Sequence, residues 1–465
     1  MSTSGPQLAN GRSLHPSNFK VRNIELFNHK GESKFIEDLV GSVTIRESLY
    51  LPSLIVEMTI GDAVNFLQAF EIIGQERVII RFAQHPMYQE DANELELQFV
   101  ITEYPRYERF AGNENKQGYS LSGISEYAFN SKFMKISRSY TSSSTIQIEK
   151  IIRNDLFYDN VAVLGEDATT HSGIINIQEP LSAIEYLRKS AYDEFGAPFF
   201  FYQTLSGQVR LTSMTYLTDK TRNPLYDTYR YEKGFQSQPT TPEYYEENRR
   251  RILKCSSNLE LSKAFQSTKG AYASKNQFLD IATKTYTPRI YNYLDKSSKK
   301  LRESNIENVE NRSVLSQLFT VGKYNANPIN ALPDAHHEYL STNTSAYPNG
   351  INYTDDLANE IDKMNAYYAI MKSITQNIRL NGDFNLNAGK KIKLLFPKAA
   401  NAEVYKVYNK ADADANPNHF DTLLSGNHLI VSAIHEFKLR GDTSTYHCEL
   451  EVAKDTLAFN LTTES

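Results

Sequence analysis

The residues of this chain that could do chemistry are few and scattered. His336 and His337 are the one histidine doublet in the sequence. Neighbouring residues on a strand or loop point apart, so a doublet is a poor chelate and a solvated loop is the better reading. Asp412, Asp414 and Asn416 repeat the first half of a calcium loop. Pro417 stands where the sharp turn needs Gly, and no bidentate Glu follows at the required place, so a polar loop is expected there. His428, His435 and His447 alternate with apolar residues in what read as terminal strands. They could converge, but no acid partner is placed to orient them as ligands, and they are read as surface or core donors. Ser122-Gly123 and Ser425-Gly426 lack the flanking glycines of a nucleophile elbow or a phosphate loop. The 55 Asp and Glu are spread through polar loops and alternating strand faces; a glycosidase pair cannot be recognised from spacing. No catalytic, cofactor-binding or metal-binding residue is therefore assigned, no cofactor is expected, and the chain is read as a non-enzyme.

The elements that would have to position such residues are mostly strands. The chain has 465 residues, too many for one ordinary core, so several domains are expected. It is 40% hydrophobic and 23% charged, as in ordinary globular proteins. Its 30 Tyr and 24 Phe, with no Trp, favour strands and half-wet interfaces. A net charge of -5 carries no nucleic-acid footprint, which needs a clustered basic face. No apolar run approaches the ~18 residues of a membrane span. The first twenty residues are polar, lack the apolar stretch of a secretory signal, and read as a flexible arm. Cys255 and Cys448 fit no metal or redox spacing and are expected to be buried free thiols, although a disulfide is not excluded.

Residues 24–82 read as strands broken by Gly and Pro, and 378–396 read as a shorter echo. Each copy ends on a Gly, a charge and an alternating strand closing on Phe: Gly74, Arg77, Val78, Ile80 and Phe82, then Gly389, Lys391, Ile392, Leu394 and Phe396. Ala63 to Phe70 reads as a short helix capped by Asp62. Farther on, Leu181, Ile184, Leu187 and Ala191 fall on one face at helical spacing. An aromatic hairpin, Phe199 to Tyr202 with Val209 and Leu211, follows around Ser206-Gly207. The expected fold class is mainly β with α+β insertions: two tube-like antiparallel β-barrel modules per chain, the second discontinuous, plus accessory domains. The expected boundaries are an arm at 1–20, a first module at 21–110 and an α+β accessory domain at 111–218. A linker or loop excursion follows at 219–250. The second module comprises 251–292 and 370–458, with an inserted helical or loop segment at 293–369.

Taken in order, Ile45 to Leu54, Gly61 to Leu67, Ile73 to Phe82, Leu187 to Tyr192, Gly196 to Tyr202 and Leu423 to Ile430 resemble the baseplate hub proteins of contractile-tailed bacteriophages. The resemblance covers most of the chain except the arm and about 296–365. It implies a homotrimeric ring in which each subunit supplies two tube-like modules, so that three chains adapt a sixfold tail tube to a threefold spike. The implied partners are further copies of the chain, the central spike protein and the tail tube or its initiator, with the tape-measure and baseplate wedge proteins beyond them. DNA only passes through the channel. The implied place is the tail baseplate of the virion, assembled in the host cytoplasm. An open sheet edge, an aggregation liability in a monomer, becomes useful when a neighbour closes it into a ring. Two other readings stay open: a tail-associated hydrolase of cell wall or capsule, and the spike-base subunit of a bacterial contractile injection system.

Overall fold

A computed structural model of the chain describes residues 15–84, 93–103, 108–109, 117–167, 171–231, 242–259, 273–281, 283–292, 336–342, 364–365, 367–368, 371, 374–398, 420–421, 424–439 and 444–454. The Asp412–Asn416 loop, most of 293–369 and residues 1–14 of the expected arm lie outside these.

The N-terminal part is a run of strands: β1 Lys20–Phe27, β2 Ser33–Phe35, β3 Val40–Ser48, β4 Ile55–Asp62, β5 Arg77–Gln84, β6 Asn93–Glu103, β7 Glu108–Arg109 and β8 Gln117–Ser125. Alternation decides their faces. In β3, Val43 and Ile45 are buried while Arg46 is exposed, and in β5 Val78, Ile80 and Phe82 are buried. Strand β1 lies between β2 and β5. Asp62 does cap the turn after β4, accepting from the Val64 and Leu67 amides at 2.9 and 3.3 Å. The helix itself is shorter than expected, α1 Phe66–Ala69, because Asn65 enters it in the left-handed region at φ 55°.

A second layer follows. It holds α2 Glu126–Ser131, β9 Ile136–Ser142, α3 Ser144–Lys150 with a π-helical turn at Ile151–Asp155, β10 Val161–Leu164, β11 His171–Gln178, α4 Pro180–Arg188, β12 Phe199–Gln203, β13 Val209–Ser213 and α5 Met214–Thr218. Ser143 caps α3 by accepting from the Ile146 amide. Ile148, Ile151 and Ile152 pack on Ala183, Ile184 and Leu187 of α4 and on Phe199, Phe201, Val209 and Leu211 of the hairpin. Ile146, on the other face of α3, is 48% exposed.

The remaining elements are β14 Leu225–Arg230, α6 Pro242–Arg249, β15 Ile252–Leu259, β16 Ala273–Asp280, β17 Thr285–Asn292, β18 His337–Thr342, β19 Ile374–Asn381, β20 Lys391–Leu395, β21 Gly426–Lys438 and β22 Thr445–Lys454. The 219–250 stretch thus carries a strand and a helix, and β14 runs parallel to β20. The fold class is mainly β, as the alternation implied. Among the described residues, fourteen strands join in one sheet whose main path is β15-β19-β22-β21-β3-β4-β8-β6-β5-β1-β2.

The join between the two ends of the chain is β3 against β21, paired antiparallel from Ser42↔Lys438 to Ser48↔Ser432. One apolar core runs beneath both ends. Phe19 meets Phe82 and Phe437 edge-on, and Phe437 stacks on Tyr446 at 4.2 Å. Aromatic pairs of this kind add about 0.5–1.5 kcal/mol each beyond their buried area. Residues 17–19, at the end of the expected arm, are therefore part of the packed interior. The echo is visible here too. Gly74 and Gly389 both have positive φ, at 98° and 85°, and Ile80 and Ile392 are both fully buried. The pairing differs: β5 is antiparallel to both neighbours, whereas β20 has one antiparallel and one parallel neighbour.

Candidate functional site

The residues singled out for chemistry serve the interior or the surface. Ser425 is buried, its hydroxyl accepting from the Phe396 amide at 2.9 Å and donating to the Phe396 carbonyl at 3.2 Å. Gly123 sits against the Val100 carbonyl, closer than any Cβ could. His337 is exposed at the start of β18. Cys255 and Cys448 are free, and Cys448 is the buried one. Among the described residues no three His, Cys, Asp or Glu side chains are grouped to hold a metal ion.

The three terminal-strand histidines do not converge. His428 is fully buried, its Nδ1–H donating to the Gly426 carbonyl at 2.8 Å while Nε2 accepts from Gln376 at 3.0 Å. Burial, reinforced by the Lys454 charge, pushes this imidazole down to about 3, so it is neutral. His447 lies on the outer face, held below its ordinary value by partial burial and then by Arg379. His435, also fully buried, does have an acid partner, contrary to expectation. Its Nε2 lies 3.6 Å from Oε1 of Glu47, and neither side chain is exposed. On its other side Nδ1 meets the Tyr446 hydroxyl at 2.8 Å and the Cys448 sulfur at 3.4 Å. Burial disfavours the imidazolium, but Cys448 and Glu47 outweigh it and raise the group to about 10.

Glu47 gathers four segments. Besides His435 on β21, its Oε2 accepts from the Leu205 amide of the β12–β13 turn at 2.5 Å and its Oε1 from the Ala388 amide at 2.6 Å. The acid partner was missed because it lies almost four hundred residues from the histidine. A signal was present: Val43, Ile45 and Glu47 share one phase of β3, as Ala433, His435 and Phe437 share one phase of β21. An ionisable residue on the apolar phase marks a buried polar contact.

The opposite face of the same strands looks outward. Because β3 and β21 pair in register, their outward residues stand on one surface that continues over β22 and β19 on one side and β4 and β8 on the other. It is mainly polar, with Ile434 and Ile55 among its outward residues, and its cations are paired with carboxylates. Arg379 bonds Glu436 at 2.7 Å and Glu449 at 3.1 Å, Lys438 bonds Glu436 at 3.1 Å, and Arg46 faces Glu57 at 3.5 Å. Elsewhere the sheet β17-β16-β18 exposes Leu279, Tyr286, Ile290 and Tyr339, which the register places on one face.

No family model and no curated protein matches the sequence. Solved structures do match. The tail protein from Neisseria meningitidis MC58 aligns over 95% of this chain and 98% of its own, with 10% identity and a TM-score of 0.50. The chain has the fold of that tail protein. The 43 kDa tail protein of prophage MuSo2 from Shewanella oneidensis aligns over 94% of this chain and 100% of its own, at 10% identity and a TM-score of 0.45. The E. coli c3393 protein, a type VI secretion component described as similar to T4 tail proteins gp27 and gp5, aligns over 94% of this chain and 76% of its own, at 9% identity and a TM-score of 0.41. The resemblance read from sequence agrees with the first of these at the level of the fold.

Proposed function

We propose that the chain is a structural hub subunit of a contractile phage tail. Three copies form a ring at the baseplate that adapts the sixfold tube to the threefold central spike and encloses the DNA channel. The observation that carries this reading is the in-register β3–β21 seam, which gives strands from both expected modules one continuous polar face. A channel wall for DNA needs such a face. Phosphate affinity comes from unpaired Lys and Arg, and here the cations are met by Glu57, Glu436 and Glu449. Three copies would carry three times the net charge of -5, a further bias against holding DNA.

In this reading the two modules, at 21–110 and at 251–292 with 370–458, line the channel six times over, and the chain acts by assembly instead of catalysis. Its partners are the spike, the tail tube or its initiator, and more peripherally the tape-measure and wedge proteins. Native mass measurement and imaging of the purified chain, alone and with its spike, test the proposal. A threefold ring whose channel is lined by β3 and β21 is expected. A monomer that binds no spike would overturn it.

A further inference from the structure

We propose that Glu47 and His435 form a charge latch across the β3–β21 seam, holding the seam shut while the imidazole is protonated and releasing it in alkali. The latch needs only the seam and not the ring. Its geometry is that of two strands meeting: Glu47 lies opposite Ala433, His435 opposite Ile45, and both side chains point into the interior. The carboxylate already holds the Leu205 and Ala388 amides, so its position ties β3 to the hairpin turn and to the turn before β20. Two amide bonds do not neutralise a buried anion, and His435 is the cation within ion-pair reach.

The other titratable and charged groups facing the pair come from each neighbouring element. They are Cys448 and Tyr446 on β22, Tyr202 on β12, Lys390 before β20, and Asp383, which acts on Tyr446. Tyr202 and Tyr446 are held above the ordinary phenol value by burial first, so both stay neutral through mild alkali. Lys390 is held below its ordinary value by burial and weakens as a second countercharge in the same direction. The imidazole is raised from its ordinary 6.5 to about 10. A raised folded value gives stability that is complete below about 6.5 and is lost as pH climbs through about 10.

Cys448 reports on the seam directly, since it is buried beside His435. In a Cys255→Ser chain it is the sole thiol, the sequence having 2 cysteines. Its labelling rate with a disulfide reagent, divided by that of the urea-unfolded chain at the same pH, gives the opening equilibrium free of intrinsic thiolate reactivity. From pH 7 to pH 10 this ratio is expected to rise, by up to about tenfold per pH unit for one linked proton. In His435→Asn the ratio should be higher at pH 7 and far flatter. Should that variant fail to fold, Glu47→Gln, which keeps the side chain's shape without its charge, should show a shallower slope than the parent, with Cys448 still beside the imidazole. A ratio in the parent chain that stays constant over pH 7–10 would overturn the latch. So would a rise of equal steepness in the variants.

Discussion

Arg46 of β3 stands directly opposite Ile434 of β21, and Ile434 in turn lies opposite Glu449 of β22. That row crosses the seam without a break. Side chains alternate with period two, so one matched pair sets the face of every residue along both strands. A slip of β3 by one residue would carry Arg46 into the apolar core and turn Ile45 to solvent. The seam is thus specified by the same alternation that makes each strand, and this makes the shared face a property of the sequence pattern.

Ala433→Asp tests the seam. Ala433 is fully buried opposite Glu47, so a second carboxylate there would face the first across the seam in the interior. The expected loss is roughly 3–5 kcal/mol, the scale for an uncompensated buried charge. Urea unfolding of the full chain measures it. A variant of parental stability would mean that this stretch of β21 does not pack as described.

Ile80→Ala and Ile392→Ala compare the two copies of the echo. Both side chains are fully buried in the one core that runs under both ends of the chain. Each truncation is expected to cost about 2–5 kcal/mol, the range for large-to-small core changes. Equal sensitivity is the point of the comparison. A neutral Ile392→Ala would remove the second copy from the structural frame.

Much of this was legible beforehand because alternation is a local signal. The strand phases of Val78, Ile80 and Phe82, the helical face of α4 and the aromatic hairpin all follow from spacing within ten residues. The Glu47–His435 contact does not, because it joins positions far apart in sequence, and pairing of β3 with β21 is visible only in three dimensions. The parallel β14–β20 pair escaped for another reason. Leu225 to Arg230 alternates weakly between polar residues, and its partner strand supplies the order. The α1 boundary was misread because Asp62 caps a turn first and the helix only later.

Gly382→Ala isolates a steric requirement. A Cβ at Gly382 would overlap the Tyr446 ring, which is stacked on Phe437 and fully buried. The ring cannot retreat without disturbing the aromatic core, so a loss of about 1–3 kcal/mol is expected, as for overpacking elsewhere. Gly31 provides the contrast. It has φ 80° and nothing within 4 Å, so alanine there meets only the backbone preference, ~1 kcal/mol. Thermal midpoints of the two variants should differ in that order; the reverse order would remove the packing argument.

Glu449→Lys combined with Glu451→Lys tests the shared face. Glu449 is 48% exposed and paired with Arg379, so its loss costs little stability, about 0–1 kcal/mol. The charge change is large where DNA would pass. If the face lines a channel, rings of the double variant should retain DNA that parental rings release, with affinity falling steeply with salt, by a log–log slope of about -0.9 per phosphate contact. Filter binding across a salt series reads this. Intact rings with unchanged, negligible DNA retention would place the face outside the channel.

His428 bounds stability from the acid side. Its buried imidazole is pushed down to about 3 by burial and then by Lys454, while the unfolded chain protonates near 6.5. A depressed folded value leaves its stabilising effect intact above about 6.5 and removes it progressively as pH falls toward 3, because the unfolded state then binds the extra proton. The slope approaches 1.4 kcal/mol per pH unit for one proton. His428→Gln keeps a hydrogen-bonding group near Gln376 but cannot take up that proton. Urea midpoints of parent and variant should therefore converge on acidification, from a gap at pH 7 toward none near pH 4, whatever the carboxylates contribute to both. His435 acts with the opposite sign on the alkaline side, so the two buried histidines of β21 close the stable range from its two ends. A gap that stays constant from pH 7 to pH 4 would show that His428 is protonated in the fold.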